Sequence, residues 1–125
     1  LNPPAQPLPQ NTPKKGNFVE IVYLRGMYLY NATLIAERDI GESVRMYLTE
    51  QLNDGKEGIG TGLFFLEMLD SPHDGVTYCI QLRAENRHEI TSFQETYLAS
   101  IRSQLETAYA GKVLFFDSIM KYLNP

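Results

Sequence analysis

The residues with most chemistry in them are two histidines, one cysteine and two carboxylates set among apolar neighbours. His73 lies in Ser71-Pro72-His73-Asp74-Gly75, a run with turn chemistry, while His88 opens a predicted helix and Cys79 sits in a predicted strand. A transition metal needs several such ligands at paired spacing; these have none, so no metal site is predicted. His73 beside Asp74 fits a solvated turn better than a site, and His88 reads as an ordinary surface residue. Cys79 would need a nearby base to act as a nucleophile, and a small core thiol is the common alternative.

Gly58, Gly60 and Gly62 superficially resemble a phosphate loop, but they follow a helix and open a strand, the reverse of the order that places phosphate on a helix N-terminus. Gly111-Lys112 lacks the earlier glycine and the hydroxyl residue of a P-loop, and no Gly-x-Ser-x-Gly nucleophile motif is present. That leaves Glu67 and Asp117, inside otherwise apolar strands. A buried carboxylate suits acid–base work, whereas one on an edge strand keeps sheet edges apart; the pattern favours the edge role. No catalytic residue and no cofactor is predicted.

The elements that carry these residues follow from periodicity. Met27 to Ile35 is rich in aromatic and β-branched residues and reads as a strand, with Tyr28, Tyr30, Ala32 and Leu34 on one face and Leu29, Asn31 and Thr33 on the other. Asp39, with Glu42 in a capping-box position, precedes a helical stripe of Ile40, Val44, Tyr47, Leu48 and Leu52, which Gly55, Gly58, Gly60 and Gly62 are expected to end. Strands are predicted over 62–70 and 76–84, joined by the 71–75 turn. Asn86 with Glu89 then caps a long helix along Ile90, Phe93, Tyr97, Ile101, Leu105 and Ala108. Gly111 closes it, and a last strand runs over 112–123. The order β-α-β-β-α-β specifies an α+β, ferredoxin-like sandwich over residues 27–125.

Residues 1–26 differ in kind. They hold five of the seven prolines and a net charge of +2, against −6 for the rest. This Pro-rich leader is expected to be extended and unpacked through Gly16, and Asn17 to Leu24 is expected to be either unstructured or an added strand; the residues leave both open. The regular patterning that begins at Met27 raises the expectation that Met27 is the natural start. The whole chain of 125 residues has 15 acidic against 11 basic residues, a balance that speaks against nucleic acid as a partner. No apolar run reaches the roughly 20 residues of a membrane span, and a single cysteine suits a reducing cytoplasm.

One sheet face is left without helices in this fold. The second and fourth strands are apolar on both faces: Leu63, Phe65 and Leu69 against Phe64, Leu66 and Met68, then Val113, Phe115 and Ile119 against Leu114, Phe116 and Met120. Such strands are buried on both sides. A twofold homodimer closing through the open sheet face is the expected cover, ahead of the leader strand. The central strands place Asn31, Thr33, Thr77, Cys79, Gln81 and Arg83 on that face, a polar centre inside apolar edges. These six are the candidate pocket-lining residues for a small-molecule ligand, although inter-sheet hydrogen bonds or contact with water are the favoured explanation of their polarity.

Met27-Tyr28-Leu29-Tyr30-Asn31-Ala32-Thr33 resembles the first strand of a family of short, uncharacterised bacterial proteins known only as a domain of unknown function. Thr61-Gly62-Leu63-Phe64, Gly75-Val76-Thr77-Tyr78-Cys79-Ile80-Gln81 and Gly111-Lys112-Val113-Leu114-Phe115-Phe116 are similar to it in the same order, spanning about residues 27–122. The resemblance implies a dimeric α/β-barrel relative and brings no activity. Many members carry His-Ile-Pro before the Thr-Gly pair; this chain has Glu50 to Gly60 there, without that histidine or proline. Two functions remain: a small homodimeric binding or interaction protein without catalysis, or a cofactor-independent enzyme resembling the small barrel-type monooxygenases, with substrate over Asn31, Thr33, Gln81 and Arg83.

Overall fold

Strand alternation and helical periodicity are realised in a four-stranded sheet with helices over one face. The computed structural model describes residues 26–59 and 62–123, so the predicted leader lies almost wholly outside the described residues. Contacts divide the chain into two units: residues 28–120, described below, and residues 1–27 with 121–125. Within the second unit the Tyr122 N–H donates to the Met27 carbonyl at 2.9 Å. No described helix is long and apolar enough to cross a membrane.

In chain order the elements are β1 (Tyr28–Ala36), a short 3-10 turn (Arg38–Ile40), α1 (Gly41–Ile59), β2 (Leu63–Glu67) and β3 (Val76–Ala84). Then come α2 (Arg87–Phe93), a π turn (Gln94–Leu98), α3 (Ala99–Ala108) and β4 (Val113–Lys121). The sheet order is β2-β3-β1-β4, with β1 central and antiparallel to β3, pairing Asn31 with Gln81 and Thr33 with Cys79. The Glu37 N–H donates to the Lys112 carbonyl at 3.0 Å, so β4 begins where β1 ends and runs antiparallel to it. This is the predicted ferredoxin-like α+β architecture.

Tyr30, Ala32 and Leu34 of β1 and Tyr78, Ile80 and Leu82 of β3 point to the helices and are buried. Against them pack Val44, Leu48 and Leu52 of α1, Ile90 and Phe93 of α2, and Ile101 and Leu105 of α3. Each such side chain contributes on the order of 1.5–3 kcal/mol by leaving water. The Tyr78 hydroxyl, carried into this layer, donates to the Gly41 carbonyl at 2.9 Å, so its polar end is satisfied. In the 71–75 turn Gly75 has φ +109°, and a Cβ there would lie 2.5 Å from the Ala36 carbonyl oxygen; only glycine fits.

Several local expectations are corrected. Gly55 and Gly58 do not end the first helix: α1 runs through both and stops at Ile59, the residue before Gly60. Asp39 is not the start of a capping box, because it lies inside the 3-10 turn and its carboxylate takes the Lys112 ammonium at 2.8 Å, while Glu42 pairs with Arg45. β2 stops at Glu67, leaving Leu69 exposed in the following turn rather than buried on a sheet face. Asn86 caps α2 as expected, its side chain accepting from the Glu89 N–H at 3.0 Å. The long second helix, however, is interrupted. The π turn inserts one extra residue, so the apolar stripe steps from Phe93 to Leu98; Tyr97 is only partly buried and Ala108 is exposed.

Candidate functional site

The six predicted pocket residues do share the open face. In the two central strands they bond mostly to one another: the Gln81 amide donates to Asn31 Oδ1 at 3.1 Å, the Asn31 amide donates to Thr33 Oγ1 at 2.8 Å, and Thr33 Oγ1 meets Cys79 Sγ at 3.9 Å. Thr77 is buried, its hydroxyl 3.0 Å from that of Ser71. The Arg83 guanidinium lies 5.6 Å from the centre of the Phe64 ring, a cation–π distance. Around this polar line stand Phe64, Leu66 and Met68 on one edge and Leu114, Phe116 and Met120 on the other, all substantially exposed.

A second arrangement lies on the helix side, and the sequence reading missed it. A cleft of about 260 Å³ opens between the β1–β4 edge of the sheet and the second helical segment. Each lining element has a local reason to be there. β1 supplies Tyr30 and Ala32, β4 supplies Phe115, Phe116 and Asp117, the π turn supplies Gln94 and Leu98, and α3 supplies Ala99 and Arg102. Ala32 and Ala99 contribute only methyl groups, which leaves volume unfilled. π turns recur at functional positions because they displace a helix face by one residue.

Polar groups converge on Asp117. Tyr30 donates its hydroxyl to Asp117 Oδ2 at 2.8 Å, and the Gln94 amide approaches the same oxygen at 3.4 Å. Asp117 is an exposed charge on edge strand β4, as expected, but its carboxylate also takes the Tyr30 hydroxyl on the helix side. The Tyr30 ring is buried edge-on to Phe93, with centroids 6.2 Å apart. Burial first, and then donation to Asp117, push the Tyr30 phenol up from its ordinary 10.0 to about 12. At neutral pH it is therefore a fixed hydrogen-bond donor, not a base. Arg102 lies over the Phe115 ring at 5.2 Å and gives its Nε–H to Glu106 at 3.1 Å, which balances its charge within the helix.

The other residues of interest stay apart. His73 and Asp74 are exposed in the turn, where Asp74 reaches Arg38 at 3.7 Å. His88 is exposed in the first turn of α2, and Glu67 is exposed on edge strand β2. Among the described residues no group of three or more His, Cys, Asp or Glu is placed to hold a metal ion.

Known structures share this architecture. A candidate antibiotic biosynthesis monooxygenase from Nitrosomonas europaea superposes with a TM-score of 0.63 at 14% identity, covering 81% of this chain and 94% of its own. A second candidate antibiotic biosynthesis monooxygenase, from Caulobacter crescentus CB15, gives a TM-score of 0.55 at 16% identity, covering 81% of this chain and 95% of its own. At such identities the likeness is one of fold. No curated protein matches the sequence. The family model does, over residues 27–123, the span in which the strand motifs were recognised and in which both the polar line and the cleft are built: the chain belongs to the DUF4286 family, a domain of unknown function.

Proposed function

We propose that this chain is a small homodimeric binding protein of the bacterial cytoplasm whose two copies join through their open sheet faces. One observation carries the reading. The open face has apolar, exposed edges, yet its polar centre is already hydrogen-bonded within one copy. Burying Asn31, Thr33 and Gln81 under a second copy therefore leaves few groups unsatisfied, which removes the main cost of covering a polar surface. Arg83 is the one charged residue among those placed on this face, in keeping with the depletion of charge at interface centres. A twofold arrangement lays the β2 and β4 edges of one copy against the sheet of the other and needs no further partner.

Sedimentation velocity of the full chain at low micromolar concentration tests this. A dimer is expected, and Phe116→Asp is expected to convert it to a monomer with unchanged helix content. A wild-type chain that sediments as one copy overturns the reading.

A second reading, a cofactor-independent oxygenase, is favoured by the hydrogen bond from buried Tyr30 to Asp117 in a cleft and by the fold shared with the candidate monooxygenases. It rests on fold analogy, and folds host many chemistries.

A further inference from the structure

We propose that the helix-side cleft is a binding site for a small amine with an apolar body, held by Asp117. The cleft belongs to a single copy, so the proposal stands apart from the dimer. Its size is the first argument. About 260 Å³ lies just below the usual range for ligand pockets and suits a molecule of one ring or a short chain. Its walls are the second. Ala32, Leu98, Ala99 and Phe115 offer apolar contact, with polar groups gathered at one side.

The third argument is the charge balance at that side. Both bonds to Asp117 fall on Oδ2, so Oδ1 has no protein donor among the described residues. Arg102, the cation lining the cleft, is engaged by Glu106 in the next helical turn and spread over Phe115. The carboxylate is thus the group left with unused capacity, and Tyr30 and Gln94 fix its orientation rather than compete for its second oxygen. A protonated amine supplies what that oxygen lacks: a charge-assisted donor. A carboxylate ligand would meet Asp117 with like charge, and a neutral alcohol would gain only an ordinary hydrogen bond.

Benzylamine, benzyl alcohol and benzoate are the probes, each titrated into the full chain while amide resonances are followed by NMR. Benzylamine is expected to give saturable shifts confined to residues 30–32, 94–102 and 115–117, with at least about tenfold weaker binding for the alcohol and no saturation by benzoate. Asp117→Asn keeps an acceptor for Tyr30 and is expected to bring benzylamine down to the level of the alcohol. Ala99→Phe, which fills the cleft but leaves the carboxylate, is expected to abolish the shifts. Binding of benzoate as tight as that of benzylamine, unchanged binding by Asp117→Asn, or benzylamine shifts on the open face instead each overturn the proposal. The dimer test reads a different quantity, so either idea can fail alone.

Discussion

The two faces of one sheet are built from alternate residues of the same strands and have opposite fates. Ile80 on β3 points to the helices and has no exposed surface, while Phe116 on β4 points the other way and keeps 57% of its own. The helix side is a closed core in which apolar groups meet helices of the same chain. The open side has similar chemistry at its edges and nothing described to meet it. Stability within one copy is therefore concentrated on one face, and the other face is a store of hydrophobic surface available for association.

That contrast can be broken most forcefully by truncating one residue on each face. Ile80→Ala leaves a cavity among Tyr30, Leu48 and their neighbours and is expected to cost roughly 2–5 kcal/mol. The loss should be the same at any protein concentration. Phe116→Ala should instead lower stability only through the dimer, so its effect in urea unfolding grows with concentration and fades on dilution. A concentration-independent loss for Phe116→Ala as large as that for Ile80→Ala would mean that the open face is already covered within the chain.

The same contrast explains what the sequence could convey. β1 and β3 alternate between apolar and polar residues, so the pairing of Asn31 with Gln81 on one face was readable from a period of two. β4 is apolar on both faces, and a strand without alternation carries no phase. The side on which Asp117 falls was therefore decided by tertiary pairing with Tyr30, not by any local pattern. The π turn was hidden for a similar reason. Phe93, Tyr97, Ile101 and Leu105 make a regular stripe for an uninterrupted helix, and only packing against the sheet selects Leu98 over Tyr97. Both misses fall on the cleft. In α1, Gly55 and Gly58 each cost about 1 kcal/mol relative to alanine, a local penalty that a helix anchored by Val44, Leu48 and Leu52 tolerates.

Tyr30 offers a sharper measurement of the helix side. Folded, its phenol is held up to about 12; unfolded, it returns to its ordinary 10.0. The fold thus favours the neutral phenol, a contribution that is complete below about pH 10 and is lost as pH rises from about 10 to about 12. A shift of this size corresponds to roughly 2–3 kcal/mol. The stability of the wild type relative to Tyr30→Phe should fall by about that amount across the window. Tyr47 and Tyr78 are also pushed up by burial, but they remain in both proteins and cancel in the difference. Parallel pH curves for the two proteins would show that Tyr30 ionises in the fold as it does in water, and the Asp117 side of the cleft would then be open to solvent.

The smallest effect separates the core of the helix layer from its rim. Asn86 accepts the Glu89 N–H at 3.0 Å at the exposed start of α2, and its backbone is extended, the geometry of an N-cap. Removing the acceptor leaves an orphan donor that water can reach, so Asn86→Ala should cost about 1 kcal/mol, and Asn86→Asp, which restores an acceptor next to the helix N-terminus, should recover most of it. Thermal or urea unfolding of the three proteins reads this directly. If the alanine variant lost as much as Ile80→Ala, the helices would depend on their local ends rather than on the buried layer beneath them. The contrast between a saturated face and an unsatisfied one would then no longer describe where this fold keeps its stability.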